Sequence, residues 1–106
     1  MSEQLALVVR LTAKPGHEDE LGRRLQVLAA PTRVEAGCIN CDVHRSHADP
    51  AEWMIHENWR SPADLDVHFR MPYLERFLAE RHEVLAHDMV IDRYGLQTAT
   101  DPAPAA

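Results

Sequence analysis

The sequence predicts one α+β domain with the ferredoxin-like order β-α-β-β-α-β. Three observations predict it. Four short runs rich in β-branched and aromatic residues are bounded by turn residues. A helical stripe of Leu21, Leu25, Leu28 and Thr32 lies between the first and second runs. A second helical stretch, opened by Ser61-Pro62 and interrupted at Met71-Pro72, lies between the third and fourth. The 106 residues suit a single domain, which can bury one core with little excess.

The first strand is expected over Leu5 to Thr12, followed by a turn at Lys14-Pro15-Gly16. The first helix is expected over His17 to Val34. Glu18, Asp19 and Glu20 in its first turn suit the positive end of the helix dipole. Pro31 must kink this helix or end its regular part. Cys38 to Ser46 reads as strand two and Glu52 to Trp59 as strand three, joined in an antiparallel hairpin. Ser61 fits a helix N-cap, Pro62 the first helical position and Asp64 the capping-box partner. A further helical segment carries Leu74, Phe77, Leu78, Arg81 and Leu85 on one side, and His87 to Leu96 reads as strand four. The domain is expected over residues 1–96, with 97–106 a disordered tail rich in Ala and Pro.

Helices in this order cover one face of the sheet. The other face also looks apolar, with Ala6 and Val8 on strand one and Val90 and Tyr94 on strand four. A wet sheet face should alternate to polar residues. The second face therefore calls for a partner, and a two-fold homodimer is the simplest supply.

A net charge of −6 argues against nucleic acid as a partner and against an anionic membrane surface. No apolar run approaches a membrane span. The N-terminal MSEQLALVVR lacks the basic region of a signal peptide, so the expected location is the cytoplasm. Cys38 and Cys41 form a C-x-x-C, but residues three apart on a strand point to opposite faces. They are therefore expected to be two reduced thiols without a metal. His44 and His47 fail as a chelate for the same reason. No glycine-rich nucleotide motif or nucleophile elbow is present.

Chemistry concentrates in His56 to Tyr73, HENWRSPADLDVHFRMPY. Strand three carries Glu57 and Trp59 on one face, with Trp53 and Ile55. The capped helix brings His68 and Phe69 round to meet them. An acid, an indole, an imidazole and a phenyl ring suit a flat, partly apolar ligand that exchanges a proton. His68 reads either as a general base or as a core histidine bonded to Glu57 or a backbone carbonyl. Glu57 cannot be buried cheaply without a partner, and Arg45 or Arg10 could supply one.

Five segments together resemble the antibiotic biosynthesis monooxygenase (ABM) domain. They are Thr12 to Gly16, Thr-Ala-Lys-Pro-Gly; Ala30 to Cys38, Ala-Pro-Thr-Arg-x-Glu-x-Gly-Cys; and Asp42 to Ser46, Asp-Val-His-Arg-Ser. Glu57 to Ser61, Glu-x-Trp-x-Ser, and Asp66 to Pro72, Asp-x-His-Phe-x-x-Pro, complete the set. The resemblance implies a homodimeric α+β barrel with an antiparallel sheet and a pocket between sheet and helices. It also implies oxidation of a quinol or polycyclic phenol by dioxygen, with no metal, flavin or other cofactor. By position His68 would be catalytic, and Glu57, Trp59, Phe69, Tyr73, Cys41 and Arg45 would form or support the pocket. Many relatives carry tyrosine where this chain has Cys41, which implies a larger pocket here. A haem-degrading subgroup uses an asparagine on strand one, which this chain lacks. A non-catalytic ligand-binding dimer, or an isomerase on the same scaffold, remains the alternative.

Overall fold

The computed structural model describes residues 3–98. Its order is β1 (Leu5–Thr12), α1 (Glu18–Arg33), β2 (Cys38–Arg45), β3 (Glu52–Trp59), α2 (Pro62–Phe69), α3 (Pro72–Glu80), a 3-10 turn at Arg81–Glu83 and β4 (Val90–Gly95). The strands form one antiparallel sheet in the order β2-β3-β1-β4. This is the predicted ferredoxin-like α+β fold. No helix among the described residues is long and apolar enough to cross a membrane. The predicted tail falls almost wholly outside the described residues.

Period-two alternation sets the faces. Leu5, Leu7, Val9 and Leu11 are buried on the helix side of β1, and Trp53, Ile55, Glu57 and Trp59 on the same side of β3. α1 lays Leu21, Leu25 and Ala29 onto this surface. Gly22 lets it come close, since a Cβ there would stand 2.2 Å from the Trp53 ring. Pro31 falls in the last helical turn, so α1 continues to Arg33 without its amide. Strand four begins at Val90 rather than His87, because Val84 and Leu85 turn inward to the core and Leu85 bridges Ala13.

The open face of the sheet is more polar than predicted. Across β2 and β3 it presents Asn40, Asp42, His56 and Asn58, joined by hydrogen bonds. Asn58 Nδ2 donates to Asn40 Oδ1 at 2.8 Å. The apolar residues of this face are Ala6 and Val8 on β1, Met54 on β3 and Val90 and Tyr94 on β4, with the Arg10–Asp92 ion pair among them.

Strand two departs from simple alternation. Cys38 opposes Trp59, Asn40 opposes Asn58 and Cys41 opposes Glu57. One extra residue, the exposed Ile39, is therefore accommodated in a bulge. Trp59 and Glu57 share a face, so Cys38 and Cys41 share it too. The expectation of opposite faces fails because it assumed an unbroken ladder.

Candidate functional site

Four elements and one turn build a buried polar cluster under α2. β3 supplies Glu57 and Trp59. The start of α2 is fixed by Ser61, whose Oγ accepts from the Asp64 amide at 3.3 Å, and by Pro62 in the first turn. Leu65 is fully buried, and His68, three residues on, follows it inward. α3 brings Tyr73 from its first turn. The turn after α1 supplies Glu35, and β2 supplies Cys41. Gly37 holds this turn against α2, because a Cβ there would lie 2.2 Å from Asp64 Cβ.

The His68 ring stands 4.7 Å from Trp59, 5.7 Å from Phe69 and 6.3 Å from Tyr73, centroid to centroid. Its Nδ1 lies 2.7 Å from Glu35 Oε2. The Tyr73 hydroxyl donates to the same oxygen. Glu35 Oε1 is buried without a hydrogen-bond partner among the described residues. The Thr32 hydroxyl lies 3.3 Å from the Tyr73 oxygen and donates to the Leu28 carbonyl at 2.7 Å. Trp59 Nε1 donates to Glu57 Oε1 at 2.7 Å.

Burial dominates the electrostatics. It pushes the Glu57 carboxyl above the usual carboxylate range, against the lowering effect of the Trp59 hydrogen bond and of His68. Burial pushes the Tyr73 hydroxyl up, and its hydrogen bond to Glu35 adds to this. Burial likewise raises the Cys41 thiol to about 12 and Cys38 to about 11, with the Glu57 charge next in effect.

The structure brings together His68, Glu57, Trp59, Phe69, Tyr73 and Cys41, and places Arg45 elsewhere. Arg45 opposes Trp53, four residues along the strand from the Cys41–Glu57 pair, or about 13 Å. It stacks over the Trp53 ring at 4.7 Å and pairs with Asp19 at 2.9 Å. Arg10 is on the open face, paired with Asp92 at 2.8 Å. The indole of Trp59 is Glu57's partner instead. Nor does His68 bond to Glu57; its partner is Glu35. The signal for Glu35 was present, since it is the acidic residue in the Ala30 to Cys38 segment. Its depth was not visible, because it follows the helix in a turn and has no periodic face.

One further side chain approaches from β4. Arg93 opposes Leu7, which puts it on the helix side of the sheet, and its guanidinium lies 6.0 Å from the Phe69 ring centroid. A groove of about 520 Å³ runs between α1 and α3 and has Tyr73 in its wall. His68, Glu57 and Trp59 do not line it. Among the described residues, no group of three or more His, Cys, Asp or Glu is arranged to hold a metal ion.

Comparison with known proteins agrees with this architecture. Residues 5–80 match the family model for antibiotic biosynthesis monooxygenase. PA3566 from Pseudomonas aeruginosa has a crystal structure that superposes with a TM-score of 0.86 at 35% identity, covering 92% of this chain and 98% of that one. A Mycobacterium tuberculosis protein named "Putative monooxygenase Rv0793" is 30% identical over 91 residues, 86% of this chain and 89% of its own length. The uncharacterized protein sll1783 of Synechocystis is 27% identical over 92 residues; the match spans 87% of this chain but only 63% of sll1783. This chain belongs to the antibiotic biosynthesis monooxygenase family.

Proposed function

We propose that this protein is a cofactor-independent monooxygenase acting on a quinol or phenolic aromatic, with His68 as the general base. The observation that carries this reading is a buried imidazole surrounded by the rings of Trp59, Phe69 and Tyr73. Aromatic walls suit a flat substrate, and the imidazole can take its hydroxyl proton. The resulting electron-rich anion passes one electron to dioxygen, and the radical pair closes to a peroxide at the ring carbon. Loss of water leaves the carbonyl. For a hydroquinone the balance is quinol plus O₂ giving hydroxyquinone plus water. The substrate loses four electrons and dioxygen gains four, so no outside reductant is needed. The protein's part is the base, the orientation and a dry setting.

The acting unit is proposed to be a homodimer. Val90 and Tyr94 are 44% and 55% exposed on the open sheet face beside Ala6 and Val8, and this strip suits a second copy. Light scattering should give twice the 12.0 kDa chain mass; a monomer at micromolar concentration would count against it.

A second reading is favoured by one observation. His68 is 4% exposed, and the grooves around 210 to 520 Å³ are not lined by it. A ligand-binding dimer with a structural His68, or an isomerase, fits that closed packing. Incubation with a panel of hydroquinones under ¹⁸O₂ and under argon separates the readings. Monooxygenation predicts oxygen uptake and one ¹⁸O per product, with no reaction under argon. Saturable binding without uptake would replace it with the second reading.

A further inference from the structure

We propose that Glu35 is a positioning residue that holds the His68 proton on Nδ1 and so keeps Nε2 as the basic atom. The proposal deepens the reading of His68 as a base, but its geometry stands apart from any substrate. His68 Nδ1 and Glu35 Oε2 are 2.7 Å apart, with side chains only 5% and 7% exposed. The Tyr73 hydroxyl donates to that same oxygen. An ionised carboxylate is acceptor-only at both oxygens, so as such Glu35 can only accept the second bond as well. The hydrogen between Nδ1 and Oε2 must therefore come from the ring. A neutral imidazole carries a single N–H, so its lone pair is left on Nε2.

The surroundings favour Glu35 over other groups for this role. Glu57, the other buried carboxylate near the ring, is occupied by the Trp59 indole. Cys41 on β2 has its thiol held protonated by burial. Tyr73, on α3, donates to the same Glu35 oxygen and so holds the carboxylate at a second point. Trp59, stacked at 4.7 Å and tilted by 33°, limits rotation of the ring. With both donors on one oxygen and none on Oε1, the carboxylate depends on His68 and Tyr73 for its hydrogen bonds. The sequence left Glu57 or a backbone carbonyl as partners for a structural His68; the Glu35 contact gives the imidazole a defined tautomer instead, the arrangement a base needs before substrate arrives.

Long-range ¹H–¹⁵N correlation on labelled protein reads the tautomer directly, with the His68 signals assigned by their loss in His68→Gln. The spectra are taken where the ring is neutral. In the wild type Nδ1 should show the protonated shift and Nε2 the unprotonated one. Tyr73→Phe should leave this pattern unchanged, because the Glu35 contact persists. Glu35→Ala should release the ring toward the Nε2–H form, and oxygen uptake should fall about 10²–10⁴-fold, as for loss of a base's orienting carboxylate. A wild-type proton on Nε2 overturns the proposal, and so does an Nδ1–H form that persists in Glu35→Ala. If Glu35→Ala does not fold, the wild-type and Tyr73→Phe spectra still decide. Absence of oxygen uptake in a wild type with Nδ1–H would instead reject the monooxygenase reading alone.

Discussion

Cys38 and Cys41, three residues apart, stand on the same face of β2, opposite Trp59 and Glu57. The bulge at Ile39 makes this so, and it places two thiols beside a buried carboxylate. Burial and the Glu57 charge both disfavour a thiolate there, which is why the thiols rise to about 11 and about 12. The thiolate is the reactive form. Both thiols should therefore resist iodoacetamide at pH 8 in the folded protein and react fully once it is unfolded. Fast labelling of native protein, or stoichiometric zinc by elemental analysis, would contradict the inert, reduced pair.

Glu57 gives a pH signature. Burial raises its folded value above 4.5, its ordinary value, so the folded state binds the proton more tightly than the unfolded chain does. The stability this provides is fully present below pH 4.5 and is lost as pH rises through the folded value. Glu57→Gln keeps an oxygen for the Trp59 indole and cannot ionise. Between pH 4 and neutrality its melting temperature relative to the wild type should climb above pH 4.5 until the folded value is passed, and then stay level. A difference that is flat across this range would show that burial of the charge is not the dominant effect.

Gly37 lets the turn carrying Glu35 meet the helix carrying His68. Its carbonyl accepts from the Arg60 amide at 2.8 Å, and an added Cβ would collide with Asp64 at 2.2 Å. Gly37→Ala should cost about 1–3 kcal/mol in chemical denaturation, the usual range for overpacking. Gly16→Ala is a useful contrast, since a Cβ there meets nothing within 4 Å and the cost is only that of its positive φ of 85°. A wild-type denaturation midpoint for Gly37→Ala would mean that α2 can shift freely.

The fold could be read from local pattern. β1 and β3 alternate cleanly, and Ser61 with Pro62 marks the start of α2, so their bounds and faces followed from period and capping. β2 was harder, because a bulge inserts one residue without changing composition, and every residue before it then changes face. The site was half visible for a related reason. His68, Trp59 and Glu57 lie on regular elements whose inward faces repeat, whereas Glu35 lies in a turn, and only tertiary packing decides how deep a turn residue goes. Arg45 was misplaced because its strand face was right but its distance along the strand was not: it reaches Trp53, while Glu57 lies four pairs away.

The most direct test of the account is turnover per folded molecule in His68→Ala, measured by oxygen uptake on a quinol that the wild type oxidises, with melting followed on the same sample. Turnover should fall about 10²–10⁴-fold, the usual worth of a positioned general base, while the variant stays folded. Turnover per folded molecule equal to that of the wild type, accompanied by a large fall in melting temperature, would contradict it and leave His68 a structural residue.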